Sequence, residues 1–326
     1  MRSISPPAAT LTTGQPQVFA DAALDSEFHE RGYVISPLLD ATEVDHLKSW
    51  CHTCAGASPT GFSTTNFSAD PAFRKRFSEG IEKIIGPRLR NLLPGYTPHF
   101  SSLLAKSGGQ EKGKVPLHLD WTMVDLKSHP AINVWCPLLD VNEQNGCLHA
   151  VVGSHRVLDY IWPINGSAPP YHGLRETLER DYLTRFPMKA GSVILFDSRL
   201  LHGSHENYSE ETRLVVGSVL LPNGVPPRLY QRDPERPDKL QVFEVTDEHS
   251  IPLQASLRFS KHLPVGVRHL EEIDYHMEPL RIDSFECLKP FLEQASGASA
   301  AVAKQRVEKT HWWHRLSERL TGSKST

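Results

Sequence analysis

The stretch Pro116-Leu117-His118-Leu119-Asp120 decides the fold and the chemistry that we predict for this chain. It lies in a run from Val115 to Val124 that is typical of a short strand. Because successive side chains of a strand point to opposite faces, His118 and Asp120 project from the same surface. The stretch therefore predicts one imidazole and one carboxylate side by side.

The sequence around this stretch has the texture of a β protein. Short runs rich in Val, Ile, Leu and aromatic residues are separated by clusters of Gly, Pro, Asn and Ser. The predicted strands are His99 to Ala105, Val115 to Val124, Ala131 to Leu139, Cys147 to Val152, Ser192 to Phe196 and Arg213 to Leu221. Repeated short strands with turn signals indicate an all-β sandwich or barrel.

A second stretch, Leu201-His202-Gly203-Ser204, supplies a further imidazole. Two histidines and one carboxylate form the facial triad of non-haem Fe(II) oxygenases, which leaves coordination positions open. We therefore predict that His118, Asp120 and His202 bind one iron ion. His205 is close enough in sequence to be an alternative to His202.

Helices are predicted mainly before the β region. Asp40-Ala41-Thr42-Glu43 resembles a capping box and predicts a helix from there to about Cys54. A second helix is predicted from Asp70 to Leu93, broken at Gly86-Pro87 because proline interrupts helices. Residues after Pro222 are predicted to be irregular as far as Pro237. Weak strands at 241–245 and 265–269 and a helix at 282–294 follow.

One domain is predicted for most of the chain. Residues 1–22 are rich in Pro, Ser and Thr and are predicted to be a disordered lead-in, and 23–296 form the domain. Within it, residues 157–189 are predicted to be an insertion over one mouth of the barrel, in the manner of a lid. Residues 297–326 are predicted to form a helical tail that docks on the domain; contact with a membrane surface is the alternative.

Composition and charge exclude several classes of protein. The 326 residues carry a net charge of −3, so there is no basic excess that would indicate nucleic acid as a partner. No apolar run approaches the roughly 20 residues of a membrane-spanning helix, and the N-terminus lacks the apolar core of a signal peptide. Five cysteines are an odd number in a long chain with no secretion signal, which argues against a disulfide framework. Cys51 and Cys54 are predicted to be ordinary thiols at a helix end. These observations predict a cytoplasmic protein.

The motifs occur in an order that resembles one known family. After His118 and Asp120 come Ala131-Ile132-Asn133-Val134-Trp135, Asn145-Gly146-Cys147-Leu148, Gly153-Ser154-His155-Arg156, Ala190-Gly191-Ser192-Val193, Leu201-His202-Gly203-Ser204 and Arg213. From about Phe28 to Pro222, the chain resembles the phytanoyl-CoA dioxygenase family of Fe(II)/2-oxoglutarate enzymes. The resemblance implies a double-stranded β-helix core, a jelly roll related to the cupins.

The resemblance also implies a role for individual residues. His118, Asp120 and His202 become the iron ligands, and His202 is preferred to His205 because it has the family's eleven-residue spacing to Arg213. Arg213 matches the arginine that binds the far carboxylate of 2-oxoglutarate, for which a planar guanidinium is suited. The residues implied to line the cosubstrate are Ser204, Trp135, Ser102 and Asn133.

The implied reaction uses Fe(II), 2-oxoglutarate and O₂ and releases succinate and CO₂ as a small-molecule substrate is oxidised. Retention of the Asp120 carboxylate favours hydroxylation, or another oxidation without halide, over halogenation. Predicted walls of the substrate pocket are Trp121, Thr122, Arg156, Trp162, Tyr171, His172 and Arg199. A cupin-like hydrolase or isomerase that uses another metal on the same three ligands is the alternative function.

Overall fold

The computed structural model describes residues 16–55, 61–109, 113–125, 129–166, 169–233, 235–247 and 266–290. The predicted tail, 297–326, and the first 15 residues of the predicted lead-in lie outside them. In chain order the strands are β1 (Tyr33–Pro37), β2 (Phe62–Thr64), β3 (Tyr96–Lys106), β4 (Val115–His118), β5 (Ile132–Pro137), β6 (Leu148–Val151), β7 (Leu183–Arg185), β8 (Ser192–Asp197), β9 (His202–Ser204), β10 (Arg213–Pro222), β11 (Arg228–Arg232), β12 (Lys239–Val245) and β13 (Val267–Asp274). The helices are α1 (Ala22–Arg31), α2 (Ala41–Ala55), α3 (Pro71–Leu92), α4 (Arg175–Asp181) and α5 (Asp283–Glu286).

Two antiparallel sheets form the core of the fold. The major sheet has the strand order β1-β8-β5-β10-β3-β2, and the minor sheet has the order β4-β9-β6-β7. Strands that are neighbours in space are distant in sequence, as in a jelly roll. Apolar side chains of both sheets, among them Trp135, Leu148 and Ile194, pack in one cluster between them. The predicted double-stranded β-helix is confirmed.

The opposite face of the major sheet is covered by helices. Val134 and Leu195 alternate with the inward residues of their strands and pack against Phe28 of α1, Leu47 of α2 and Ile81 of α3. These helices bury the sheet on one side, so the cavity for chemistry lies on the other side, between the sheets.

The capping box predicted at the start of α2 is present. The backbone N–H of Glu43 donates to the Asp40 carboxylate (2.9 Å), and the N–H of Asp40 donates to the Glu43 carboxylate (3.0 Å). Cys51, on the same helix, is buried and Cys54 is exposed, and both are free thiols. Burial raises the pKa of Cys51 to about 12, so it is inert at neutral pH.

The predicted break in the second long helix is wrong, because α3 continues through Pro87 to Leu92. Ile81, Ile85 and Leu89 are buried along one face of α3 on both sides of the proline. Packing of this face against the major sheet keeps the helix continuous despite the N–H that proline lacks.

The packed part of the fold begins nearer the N-terminus than predicted. Val18 and Phe19 belong to the core, and their N–H groups donate to the Asp25 carboxylate (2.7 and 2.9 Å). The part of the predicted lead-in from residue 16 onward is therefore packed, because its apolar pair fills a gap beside α1.

A third sheet, β11-β12-β13, follows the jelly roll. The weak strands predicted at 241–245 and 265–269 correspond to β12 and to the start of β13. β11 lies in the segment predicted to be irregular, which is a correction: pairing with β12 imposes a strand there. The helix predicted at 282–294 is represented by α5, and its last residues lie beyond those described.

The predicted insertion, 157–189, packs on the outer face of the minor sheet. Leu158, Tyr171 and Leu178 share a cluster with Leu117 and Leu201. Its end contributes β7, which pairs with β6 and so belongs to the barrel. The segment thus covers a sheet face, and its role as a lid stays a prediction.

None of the helices in the described part of the chain has the length and apolarity of a membrane span. The cytoplasmic location stays a prediction from the sequence.

Candidate active site

His118, Asp120 and His202 converge at one end of the minor sheet. His118 ends β4 and His202 begins β9, and the two are paired across these antiparallel strands. Their ring centroids lie 4.3 Å apart. One ligand atom from each of the three residues lies within 4.8 Å of the others. This spacing fits a single metal ion bound by all three.

Both rings are oriented by the backbone. Nδ1 of His118 lies 2.9 Å from the carbonyl oxygen of Pro116, and Nδ1 of His202 lies 2.9 Å from that of Leu200. A proton on each Nδ1 satisfies these carbonyls and leaves the Nε2 lone pair for a metal. Each Nε2 lies 3.6 Å from an oxygen of Asp120. The donor set therefore has two imidazole nitrogens and one carboxylate.

The electrostatics of the cluster favour metal binding at neutral pH. Burial, together with the nearby His118, lowers the pKa of His202 to about 4, so its imidazole is neutral. Asn133 on β5 donates from its amide to Asp120 Oδ2 at 2.5 Å, which fixes the carboxylate. His118 and Asp120 are partly exposed to the cavity, whereas His202 is buried. A bound ion would keep open positions on the cavity side.

Arg213, the first residue of β10, is a buried cation beside this cluster. Its guanidinium is 1% exposed, donates to the Gly146 carbonyl (2.6 Å) and lies 5.4 Å from the Trp135 ring centroid. Its Nε is buried with no hydrogen-bond partner, and no carboxylate of the described residues forms an ion pair with it. Burial lowers the pKa of Arg213 to about 10. An unpaired buried guanidinium is costly, which favours an anionic ligand here.

Lys106 is a second buried cation that the sequence did not reveal as functional. It ends β3 and lies opposite Arg213 in the strand pairing. Its Nζ donates to Ser204 Oγ (2.7 Å) and to the carbonyl of His205. Burial, and then the charge of Arg213, lower its pKa to about 7. A lysine at the end of an apolar strand is usually exposed to solvent, so the local sequence did not predict that Lys106 is buried next to Arg213.

A cavity of about 470 Å³ between the sheets contains the cluster. Every predicted ligand and cosubstrate residue lines it, together with one predicted wall residue: His118, Asp120, His202, Arg213, Ser204, Trp135, Ser102, Asn133 and Trp121. Sequence reasoning missed most of the remaining lining, including Phe62, Asn66, Phe67, Phe100, Met123, Arg175 and Val219. These residues come from strands, loops and α4, which only the fold brings together.

The other predicted wall residues do not line this cavity. Thr122 is buried, and its hydroxyl accepts a hydrogen bond from the N–H of Trp162 (2.8 Å), which joins the two segments. Trp162 and Tyr171 pack in the cluster outside the minor sheet. They do not line this cavity, because the insertion covers the sheet's outer face, and a role in binding substrate stays a prediction.

The charged residues predicted as walls have other positions. Arg199 is bound to the buried Asp197 (2.7 Å) and to Asp159 (2.9 Å), so it is structural. Arg156 and His172 are exposed. None of the three contributes to the cavity lining.

His205 is not part of the metal cluster, which contains His202 as preferred. Its ring lies 4.6 Å from that of His149, with an angle of 60° between the planes. His149 is completely buried on β6, and burial lowers its pKa to about 2, so it is neutral. This histidine pair lies outside the cavity lining.

Residues 28–215, more than half of the chain, match the sequence model of the family described as Phytanoyl-CoA dioxygenase (PhyH). The chain belongs to the phytanoyl-CoA dioxygenase family. An Arabidopsis thaliana relative named phytanoyl-CoA dioxygenase is 33% identical over 180 residues, which are 47% of this chain and 61% of that protein. The peroxisomal phytanoyl-CoA dioxygenase of Homo sapiens is 25% identical over 113 residues, 33% of each chain. The matches span less than two thirds of these relatives.

The fold of this family member is also similar to solved structures. One is SnoN, described as a non-haem α-ketoglutarate-dependent epimerase from nogalamycin biosynthesis, with a TM-score of 0.48 at 19% identity over 63% of this chain and 84% of SnoN. Another is HygX from Streptomyces hygroscopicus with nickel and 2-oxoglutarate bound, with a TM-score of 0.44 at 16% identity over 63% of this chain and 88% of HygX.

Proposed function

We propose that the protein is an Fe(II)- and 2-oxoglutarate-dependent oxygenase that hydroxylates an unactivated C–H bond of a small-molecule substrate and releases succinate and CO₂. One observation carries this proposal: a two-histidine, one-carboxylate cluster and a buried, unpaired arginine line the same cavity. Membership of the phytanoyl-CoA dioxygenase family supports it.

The residues present fit an iron ion. Two imidazoles with free Nε2 atoms and one carboxylate are the donors that Fe(II) oxygenases use, and they leave positions for other ligands. His118 and His202 stay oriented by the carbonyls of Pro116 and Leu200, and Asn133 holds Asp120. When bound, iron supplies O₂ activation coupled to the decarboxylation of 2-oxoglutarate.

The residues around Arg213 fit the far carboxylate of 2-oxoglutarate. Its guanidinium offers the buried Nε–H as an unused donor, and Lys106 adds a second positive charge from the facing strand position. The Ser204 hydroxyl lines the cavity next to them, and Trp135 limits the space beside the guanidinium. These side chains would orient the cosubstrate with its keto acid end toward His118, Asp120 and His202.

The remaining cavity lining is mostly apolar and suits an organic substrate. Its apolar residues, which exclude water from the reacting centre, are Phe62, Phe67, Phe100, Leu104, Met123 and Val219. The family name does not fix the substrate, and no feature of the cavity specifies coenzyme A. We propose a small metabolite as the substrate and the cytoplasm as the location.

The alternative is a hydrolase or isomerase that uses Zn²⁺ or Mn²⁺ on the same three ligands. Such an enzyme has no need for a buried arginine and lysine next to the metal. Arg213 and Lys106 therefore favour the oxygenase.

The test is to add Fe(II) and 2-oxoglutarate to the protein without oxygen. We expect a weak visible charge-transfer band that titrates with 2-oxoglutarate, and succinate release when air is admitted. His118→Ala should abolish the band through loss of a ligand. Arg213→Gln should leave Fe(II) binding intact and weaken 2-oxoglutarate binding by at least about tenfold, since a charged hydrogen bond is lost.

His205→Ala is the matched control, because this histidine is three residues from His202 and outside the cluster. It should keep the band and bind Fe(II) like the unmodified protein. Binding of Zn²⁺ without any effect of 2-oxoglutarate would support the hydrolase or isomerase and refute the oxygenase.

A further inference from the structure

Arg175 is the charged cavity residue left over once the metal and cosubstrate sites are assigned. The charged or titratable side chains in the cavity lining are His118, Asp120, His202, Arg213 and Arg175. The first three form the metal cluster and the fourth faces the cosubstrate. Arg175 comes from a different layer of the molecule, since it begins α4 on the outer side of the minor sheet.

The backbone that carries Arg175 is firmly anchored. Tyr171, four residues earlier, is 1% exposed and hydrogen-bonds to the backbone of Leu119, the residue between the ligands His118 and Asp120. Leu178, on the next turn of α4, is completely buried in the same apolar cluster as Leu119. The position of Arg175 is therefore coupled to the strand that carries the metal ligands.

The guanidinium of Arg175 lacks a partner where the structure is described. Its Nε is buried with no hydrogen-bond acceptor, and none of the ion pairs between described residues involves it. By contrast, Arg180 on the same helix pairs with Asp181 (2.7 Å), and Arg199 pairs with two aspartates. A guanidinium that lines a mostly apolar cavity and forms no ion pair, not even with Asp120 of the same lining, is suited to a ligand that brings its own negative charge.

We propose that Arg175 binds an oxyanion, such as a carboxylate, phosphate or sulfate, carried by the organic substrate. The apolar body of that substrate would lie along Phe62, Phe67, Phe100 and Met123. This assignment rests on the proposed oxygenase function, because it concerns the substrate of the same cavity. It makes Arg175 a residue that determines specificity and sets which C–H bond faces the metal.

The experiment compares matched ligands that differ in charge. Octanoate and octyl phosphate are the anionic probes, and octanamide and octanol are their neutral counterparts. Binding is measured by calorimetry without oxygen, on protein saturated with Fe(II) and 2-oxoglutarate, so that Arg213 is already occupied. At least one anionic probe should bind ten or more times tighter than its neutral counterpart.

Three variants assign the preference to Arg175. Arg175→Gln should weaken the anionic probe at least tenfold and leave the neutral probe unchanged, and Arg175→Lys should retain part of the preference. Arg180→Gln is the control, since it removes an exposed guanidinium from the same helix, and it should change nothing. If octanoate alone or octyl phosphate alone shows the effect, that result identifies the oxyanion.

Failure of this inference differs from failure of the proposed function. Equal binding of charged and neutral probes, no binding of either anionic probe, or a preference that survives in Arg175→Gln would overturn the role of Arg175. In each of these cases 2-oxoglutarate still binds, so the proposed function is not affected. If 2-oxoglutarate does not bind, the oxygenase is refuted, and the effect of Arg175→Gln on probe binding still decides the role of Arg175.

Discussion

Lys106 and Arg213 lie opposite each other on β3 and β10, so two buried cations are neighbours on the inner face of the major sheet. Each is 1% exposed or less, and burial lowers the pKa of both, to about 7 for Lys106 and about 10 for Arg213. An adjacent dianion would relieve this repulsion, which explains why the fold tolerates the pair.

This pair predicts a pH dependence for 2-oxoglutarate binding. The dianion binds best to protonated Lys106, so its binding raises the pKa of that lysine. Below pH 7 the free lysine is already protonated and affinity is constant. Above pH 7 the affinity should fall by up to about tenfold per pH unit, until the pH reaches the higher pKa that Lys106 has in the complex.

Calorimetric titrations of 2-oxoglutarate between pH 6 and pH 9 measure this effect. Lys106→Met should flatten the profile, because no titrating ammonium remains next to Arg213. An unmodified protein whose affinity does not change over this range would contradict the assignment of Lys106 to the cosubstrate site.

Asn133 is predicted to strengthen metal binding by holding the Asp120 carboxylate in place. Its amide donates to Asp120 Oδ2, so Asn133→Ala frees the carboxylate to rotate. Loss of such an outer contact typically weakens metal affinity about 10- to 100-fold. Fe(II) affinity, measured by competition with a chelator, should fall within that range. Ser218→Ala is the control, since this residue borders the same cavity but its hydroxyl bonds to the Phe100 carbonyl (3.1 Å) and to Ser101, not to Asp120, and it should keep the original affinity.

Gly203 is required by the close approach of β9 to β4. A Cβ at this position would lie 2.6 Å from the Val115 carbonyl oxygen and 2.8 Å from His149 Nε2. Gly203→Ala should push the strands apart, lower the free energy of unfolding by about 1–3 kcal/mol and weaken Fe(II) binding, because the neighbouring His202 moves.

Chemical denaturation and Fe(II) titration test this prediction together. Gly173→Ala serves as the comparison, since a Cβ there meets no atom within 4 Å. Equal stability of the two variants would show that β4 and β9 have room to separate without strain.

Arg199 is predicted to contribute to the stability of the fold and not to substrate binding. Burial alone would raise the pKa of Asp197, but the hydrogen bonds and charge of Arg199 outweigh it and lower the pKa. This stabilisation is fully present above the pKa that the Asp197 carboxyl has in the unfolded chain. It is lost as the pH falls through the lower pKa that the carboxyl has in the folded protein. Arg199→Gln should reduce the free energy of unfolding at pH 7 by about 3 kcal/mol, because the buried carboxylate loses its partner.

Urea denaturation measures the loss, and 2-oxoglutarate titration of the still-folded variant measures function. Full cosubstrate affinity with reduced stability is the expected combination. A stable variant that has lost probe binding would instead restore Arg199 as a contact to the substrate.

The sequence by itself determined the metal cluster and the jelly roll. The two-residue period of a strand predicted that His118 and Asp120 share one face. They do converge, although β4 ends at His118, so the strand predicted from Val115 to Val124 is too long and Asp120 lies just beyond it. The resemblance to the family, which implies eleven residues between the distal histidine and the arginine, then favours His202 over His205. Most strands could also be predicted, because their apolar runs end at clusters of turn-forming residues.

Only the tertiary structure decided the parts that depend on long-range pairing. Lys106 became a buried cation because β3 pairs with β10, and Arg175 lines the cavity although most of the insertion packs outside the minor sheet. Packing of the insertion keeps Tyr171 out of the cavity lining. Packing of α3 against the major sheet keeps that helix continuous through Pro87. Burial and cross-strand register arise from residues far apart in the chain, so no local pattern encodes them.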